Sequence, residues 1–204
     1  MSRRPPQRIP SDASATRGSD RELRADARRN RERVLRTAQQ LFAQEGLGIS
    51  LDEIARQAGV GPGTVHRHFP TKEALYLAVS IDQIEQLVAE AAVLATSDDP
   101  AALFTLLSLM MANGVENATV KSALAAAEFD LRMAAPEVAA DLTRHVGDLL
   151  DRARTAGAVR QDVTVDEVMA LVAGAFAAIQ HAGAQSSSAR IAGIILDGLR
   201  PRSR

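Results

Sequence analysis

The chain of 204 residues contains no cysteine and no tryptophan, and aromatic residues make up only 3% of it. The absence of cysteine excludes a disulfide framework and a thiolate metal site. No apolar run reaches the roughly 18 residues that a membrane-spanning helix requires, and the basic N-terminus lacks the apolar segment of a signal peptide. We therefore expect a cytoplasmic protein with no membrane partner, no metal ion and no cofactor.

The residues that are present favour helices, and their charges are unevenly distributed along the chain. Hydrophobic residues make up 46% of the chain, which allows a substantial core at this length. Alanine is abundant, and no strand pattern of useful length appears. Residues 1–75 carry a net charge of +5, whereas the remainder carries −6. A basic front end on an acidic body is typical of a DNA-facing module attached to a domain that faces away from DNA.

The segment from Ser50 to Lys72 has the pattern of two short helices joined by a tight turn. Ser50 and Glu53 match a capping box at the start of the first helix. Gly59 is placed to end that helix with a left-handed backbone, and Pro62 suits the first position of the next helix. Two helices joined in this way form a helix-turn-helix, whose second helix enters a DNA major groove.

The second helix is predicted to keep a polar face. Val65 and Phe69, four residues apart, are expected to point inward. Small, hydrogen-bonding and cationic residues then remain outside, as a helix that reads a groove requires. An ordinary helical hairpin inside a core is the alternative, and it would favour Leu or Ile at these positions. The outward or flanking residues are Gly63, Thr64, His66 and Arg67.

Basic residues flank this motif. Residues 1–27 are predicted to form a disordered basic arm, and a helix is predicted from about Arg28. Arg28 and Arg29 belong to an arginine cluster that we expect to lie along DNA phosphates; a solubilising surface is the alternative. Lys72 follows the predicted N-cap Thr71 at the positive end of a helix dipole, which favours a bound phosphate there. A solvated lysine is the other interpretation.

A long helix from Lys72 to about Leu94 is predicted to join the DNA-binding module to the acidic body. Further helices are predicted over 100–114, 119–133, 136–156, 165–184 and 188–199. The expected fold is all-α, with an N-terminal three-helix helix-turn-helix domain at 28–75, a long connecting helix and a C-terminal helical bundle within 76–204. An enzyme is disfavoured because no nucleophile–base pair, carboxylate pair or set of metal ligands has a workable spacing, so we assign no catalytic residue.

The body carries two sets of candidate residues. Apolar stripes on the last two helices are expected to form a four-helix dimer interface with two-fold symmetry, although closing the core of one chain would need the same stripes. The predicted interface residues are Val168, Val172, Phe176, Ile191 and Ile195. A pocket for a mostly apolar small molecule, with plain core as the alternative, would be lined by Phe104, Leu107, Met110, Met111, Phe129, Met133, Phe176 and Gln180.

The helix-turn-helix segment resembles the TetR family of transcriptional repressors over about a quarter of the chain. The matching residues are Ser50-Leu51-Asp52-Glu53-Ile54-Ala55, Ala58-Gly59-Val60, Gly63-Thr64-Val65, His68-Phe69-Pro70 and Lys72-Glu73-Ala74-Leu75. The resemblance implies a homodimer whose C-terminal domain binds a ligand and forms the dimer. It also implies DNA contacts through Ser50, Gly61, Pro62, Gly63, Thr64, His66, Arg67 and Lys72.

His66 departs from the family pattern, which usually has Tyr or Trp at this position, so the operator sequence cannot be inferred. The expected function is a repressor that binds a palindromic, double-stranded operator as a dimer and is released by an unidentified small apolar effector. The alternative is a helix-turn-helix DNA-binding protein whose body serves only for interactions and binds no ligand.

Overall fold

The computed structural model describes residues 13–126, 131–182 and 188–201, and within these ranges the chain forms helices and no strand. The all-α prediction is therefore confirmed. No helix among these residues is long and apolar enough to cross a membrane. The helices are α1 (Ala13–Glu45), α2 (Leu51–Ala58), α3 (Pro62–His68), α4 (Lys72–Leu94), α5 (Ala102–Glu116), α6 (Ala118–Ala126), α7 (Leu131–Ala134), α8 (Pro136–Thr155), α9 (Val165–Ala182) and α10 (Ser188–Gly198).

The caps that the sequence predicts fix the ends of α2 and the start of α4. Ser50 Oγ accepts a hydrogen bond of 3.1 Å from the backbone N–H of Glu53. Gly59 follows α2 with a φ of 66°, a left-handed conformation that strains residues bearing a Cβ. Thr71 caps α4 by accepting from the backbone N–H of Ala74 at 3.1 Å. These local bonds place the ends of α2 and the start of α4 at the residues that the sequence predicts.

The first helix is longer than the sequence predicts. It begins at Ala13, well before Arg28, because much of the intervening segment consists of Ala, Arg, Glu and Leu, which have high helix propensity. The structure thus has a helix over residues 13–27, where the sequence predicts a disordered arm. Residues 1–12 lie outside the described ranges, so disorder there stays a prediction.

The N-terminal core is built from α1 to α3, the first turns of α4 and one helix of the body. From α4 it includes Leu75, Tyr76 and Val79, all buried. From α6 it includes Val120 and Leu124, which are buried in the same cluster. The core of the DNA-binding module thus extends beyond residue 75 and is completed by a helix that lies much later in the chain.

The second core lies in the body, where α5 and α8 pack against the later part of α4, and α9 and α10 pack against α5. Helix α4 leaves the first core after Val79 and contributes Ile84 to the second. Between the two cores lie three buried polar residues, Ser80, Gln83 and Asn117, which we call the polar belt. The connecting helix therefore passes from one apolar core to the other through a buried polar layer.

Candidate nucleic-acid interface

Helix α3 has one face in the N-terminal core and one face open to solvent. Val65 and Phe69 are both buried in that core. Gly61, Pro62 and Gly63 are exposed at the start of the helix. Because these three residues project no long side chain, a large partner can approach the backbone closely there.

Three polar side chains follow this open backbone. Thr64 is half-buried, and Arg67 is exposed with its Nε donating to the carbonyl of Gly63 at 3.0 Å. That bond aligns the guanidinium along the helix and leaves its terminal nitrogens as donors. His66 Nε2 lies 3.0 Å from Oδ1 of Asp52, so this imidazole is tied to α2. No sequence pattern indicates this pairing, because only the fold brings the two residues together.

Lys72 contacts the loop between α1 and α2. Its Nζ lies 3.4 Å from the carbonyl oxygens of both Leu47 and Gly48. The Tyr76 hydroxyl donates to the same Leu47 carbonyl at 3.2 Å, and burial raises the pKa of Tyr76, which keeps the donor proton in place. Lys72 therefore has a structural contact that neither sequence interpretation included.

The first turn of α2 combines a capping hydroxyl with an ion pair. Ser50 is exposed, and its hydroxyl proton remains available because the cap uses only an oxygen lone pair. Arg56 Nε donates to Glu53 at 2.9 Å. The hydrogen bonds from Arg56 and Gln57 lower the pKa of Glu53 to about 2. The Glu53 carboxylate is thus balanced by a neighbouring guanidinium on a surface that also carries Ser50.

The two predicted arginines of α1 are placed differently. Arg31 lies over the Phe69 ring at 5.9 Å from the ring centroid, so this side of α1 adjoins the end of α3. Arg28 lies three residues earlier on the same side of the helix. Arg29 lies on a neighbouring face and pairs with Asp26. By helical spacing Arg28 thus shares the side of α1 that carries Arg31, whereas Arg29 is engaged along its own helix.

The predicted pocket residues do not line one common cavity. Met111 borders a cavity of about 370 Å³ between α5, α9 and α10. Met133 is 80% exposed on the short helix α7 and does not border this cavity. Phe129 and the side chain of Gln180 lie outside the described residues. The residues that pack in the body core, rather than around this cavity, are Phe104, Leu107 and Met110.

The predicted dimer residues of α9 require a correction. Val168 has no exposed surface and Val172 is buried, both in the body core, so neither side chain can contact a second chain. Phe176 also faces inward, where its ring lies against Gly114 of α5 and Lys121 of α6. The wide apolar stripe of α9 closes the core of one chain, which is the alternative that the sequence left open.

A different side of the last two helices is apolar and exposed. Ile194 is 63% exposed on α10, and Leu171 is 42% exposed on α9. Ile191 and Ile195 are half-buried beside them. Gly174 has nothing within 4 Å of the position that a Cβ would take, so the surface of α9 is open at this point.

An exposed second helix with small residues and cationic flanks defines the chain as a helix-turn-helix DNA-binding protein. A family model for the bacterial regulatory proteins of the tetR family matches residues 34–79. A second model, described as transcriptional regulator SbtR-like, C-terminal domain, matches residues 98–201.

Solved structures extend the likeness over most of the chain. A TetR regulatory protein from Mycobacterium vanbaalenii is 43% identical, with 88% of this chain and 99% of that chain covered and a TM-score of 0.70. A TetR regulator from Streptomyces coelicolor is 30% identical, with 85% and 99% covered and a TM-score of 0.64. The chain belongs to the TetR family of transcriptional regulators.

The likeness to a group of curated relatives covers about a quarter of the chain. An HTH-type transcriptional regulator of Staphylococcus aureus is 44% identical over 54 residues, which are 26% of this chain and 29% of that protein. The match thus spans less than a third of the relative's length.

Proposed function

We propose that the protein is a repressor that binds a palindromic operator as a dimer and is released when a small molecule binds the body. The observation that carries this proposal is the open face of α3, where exposed Gly61, Pro62 and Gly63 precede Thr64 and Arg67. Small residues admit the edge of a base pair, and the two side chains supply hydrogen-bond donors that distinguish bases in the major groove.

Phosphate contacts would fix the register of α3 on the duplex. The Ser50 hydroxyl at the start of α2 retains a proton that can be donated to a phosphate oxygen. The Lys72 ammonium is positioned by the two loop carbonyls and lies at the N-terminus of α4, where helix N–H groups also favour an anion. Arg28 would add a charge from α1. His66, held by Asp52, would contribute less than Arg67 to base recognition.

The exposed apolar side of α9 and α10 supports a dimer. Leu171, Gly174 and Ile195 line the apolar part of an open groove of about 590 Å³, and Ile194 is exposed on α10. Charged residues also line this groove, namely Arg160, Asp162 and Glu167. Apolar patches of this kind mark interaction sites, and a second copy presents the same patch by two-fold symmetry. That symmetry matches the two half-sites of a palindrome.

Two observations support release by a small molecule. The body contains the cavity of about 370 Å³ between α5, α9 and α10. A transcriptional regulator from Saccharomonospora viridis with the same fold, 20% identical and with a TM-score of 0.62, was solved in complex with choline. A ligand that moves α4 or α6 would disturb the N-terminal core directly, because both helices contribute buried side chains to it.

Selection from fragments of the source genome tests the DNA-binding function. We expect the purified full-length chain to enrich a short inverted repeat and to bind it at nanomolar concentrations at modest salt. A variant with Arg67→Ala and Thr64→Ala should lose this enrichment while melting at the same temperature. Failure of the wild-type chain to enrich any sequence would contradict the proposal.

Ligand release is tested by thermodynamic reciprocity. An effector that weakens operator binding by some factor must itself bind the operator complex more weakly by the same factor. An effector found by screening is titrated calorimetrically into the protein with and without operator DNA. The two titrations measure its affinity for the operator complex and for the free protein. Equal effector affinity in the two titrations would show that the molecule does not regulate DNA binding.

A further inference from the structure

The polar belt contains hydrogen-bonding groups that have no partner. Gln83 Nε2 donates to Oδ1 of Asn117, and Asn117 Nδ2 donates to the carbonyl of Asn113 at 2.9 Å. Ser80 Oγ and Gln83 Oε1, by contrast, are buried without a hydrogen-bond partner among the described residues. Buried polar atoms are nearly always paired with protein, water or ligand, so the belt indicates a place where another molecule binds.

A cation lies one helical turn from this belt. Lys121 lies on α6 four residues after Asn117, which directly precedes that helix, and the backbone N–H of Lys121 donates to the Asn117 carbonyl at 3.0 Å. Its Nζ sits 4.5 Å from the centroid of the Phe176 ring. Across the ranges that the structure describes, this ammonium is engaged in no hydrogen bond and no ion pair. Burial lowers the pKa of Lys121, as expected for a charge that lacks an anion beside it.

The ring beneath this cation borders an apolar region. Phe176 lies so close to Gly114 that a Cβ on that residue would overlap the ring. Val115, next to Gly114, and Ile179, one turn beyond Phe176, both line the cavity between α5, α9 and α10. The Lys121 ammonium thus lies over a ring whose neighbouring residues on α5 and α9 line a mostly apolar cavity.

We propose that Lys121, Gln83 and Asn117 form the polar end of an effector site for an organic carboxylate with an apolar chain, which packs beside Phe176. The carboxylate would accept from Lys121, and a hydroxyl group of the effector or a retained water would donate to Gln83 Oε1. The inference rests on the proposed ligand-regulated function and specifies the chemistry of the ligand. A quaternary ammonium ion such as choline is disfavoured, because the Lys121 ammonium already occupies the face of the ring and would repel it.

Calorimetry with a series of simple probes tests the charge requirement. Butyrate, octanoate and dodecanoate, each below its micelle concentration, are titrated into the full-length chain at neutral pH. The alcohols and alkyltrimethylammonium ions of the same chain lengths serve as neutral and cationic controls. We expect at least one carboxylate to bind, and to bind at least about tenfold more tightly than its two counterparts. Absence of carboxylate binding across the series, or equal binding of a control, would overturn the proposal.

Substitutions of Lys121 then test whether this ammonium is the group that binds the carboxylate. Lys121→Met should weaken carboxylate binding by about tenfold or more, Lys121→Arg should retain most of it, and Arg144→Met on the exposed surface of α8 should leave it unchanged. Thermal melting checks that each variant folds, and Lys121→Gln replaces the Met variant if that one melts early. If replacing Lys121 leaves carboxylate affinity unchanged, the proposed site is wrong.

Operator binding, measured in parallel, separates the two proposals. If the wild-type chain holds its operator but no carboxylate binds through Lys121, the effector site is wrong and the DNA-binding function stands. If a carboxylate binds through Lys121 and leaves operator affinity unchanged, the anion site is supported and its role in release is wrong. If the carboxylate lowers operator affinity tenfold in the wild-type chain but not in Lys121→Met, both the anion site and its role in release are supported.

Discussion

The Phe176 ring of α9 rests directly on the backbone of Gly114 in α5, in the space that a side chain at that position would fill. Glycine inside a helix normally lowers helix stability relative to alanine. Here the small residue allows the ring to reach Lys121 on the neighbouring helix. The close approach of α5 and α9 thus depends on a residue that is unfavourable for α5 alone.

Gly114→Ala should destabilise the chain, because the added methyl group must displace the Phe176 ring. We expect a loss of roughly 1–3 kcal/mol in the free energy of unfolding, typical of overpacking. Gly193→Ala in α10 is the matched control, since nothing lies within 4 Å of its Cβ position, and it should gain about 0.5–1 kcal/mol from helix propensity. Urea unfolding of both variants measures the difference. If the two substitutions change the free energy of unfolding by similar amounts, the Phe176 ring can move aside at little cost.

Lys72→Ala and Tyr76→Phe separate the two contacts at the start of α4. Both remove a donor to the loop at Leu47, but only the first removes a charge. If Lys72 contacts a phosphate, its loss should lower the slope of log affinity against log salt by about one, whereas Tyr76→Phe should leave that slope unchanged. Operator titrations at several salt concentrations measure it. Equal slopes for the wild-type chain and the two variants would show that Lys72 contacts only the loop and no phosphate.

Arg67→Ala should relax the base preference at particular positions of the operator by about 1–3 kcal/mol each. His66→Ala should relax it less, because Asp52 already engages the imidazole. Selection with randomised operators compares the preferences of the two variants. A larger change for His66→Ala would mean that this histidine leaves Asp52 when DNA binds.

Ile194→Asp should give a folded monomer, because it places a charge in the centre of the exposed apolar side of α10. Val93→Asp is the matched control: this valine is 65% exposed on α4, away from the proposed interface, and its replacement should leave the dimer intact. Sedimentation of both variants measures the assembly state. A wild-type chain that already sediments as a monomer would contradict the proposed dimer.

Arg56→Gln should raise the pKa of Glu53 from about 2 towards its ordinary value of 4.5. Because the folded-state pKa is depressed, the contribution of this pair to stability is fully present above about pH 4.5 and is lost as the pH falls towards 2. Carboxyl titration by NMR follows Glu53 in both proteins. An unchanged Glu53 titration in the variant would show that Arg56 is not the main cause.

The features that the sequence predicts well depend on residues close together in the chain. The caps at Ser50, Gly59 and Thr71 each join groups within about one turn, so their spacing determines the helix ends. The same holds for the inward side of α3, where Val65 and Phe69 are four residues apart. This part of the candidate interface could therefore be predicted from the sequence alone.

The remainder depends on contacts between distant segments. Apolar or small residues surround most of α9, so periodicity alone could not decide whether Val172 or Leu171 faces the core. The pairing of His66 with Asp52 follows from how α2 crosses α3. Lys121 gave no signal at all, because its environment is set by Phe176 of a different helix.

Val120 and Leu124 complete the N-terminal core although they lie far beyond the helix-turn-helix in the chain. During synthesis, α1 to α3 leave the ribosome well before these two residues do. A truncated or unfinished product that ends before α6 would lack part of its own DNA-binding core. Under the proposed function, a fragment without the body could not respond to an effector, and it would also bind the operator weakly because its DNA-binding core is incomplete.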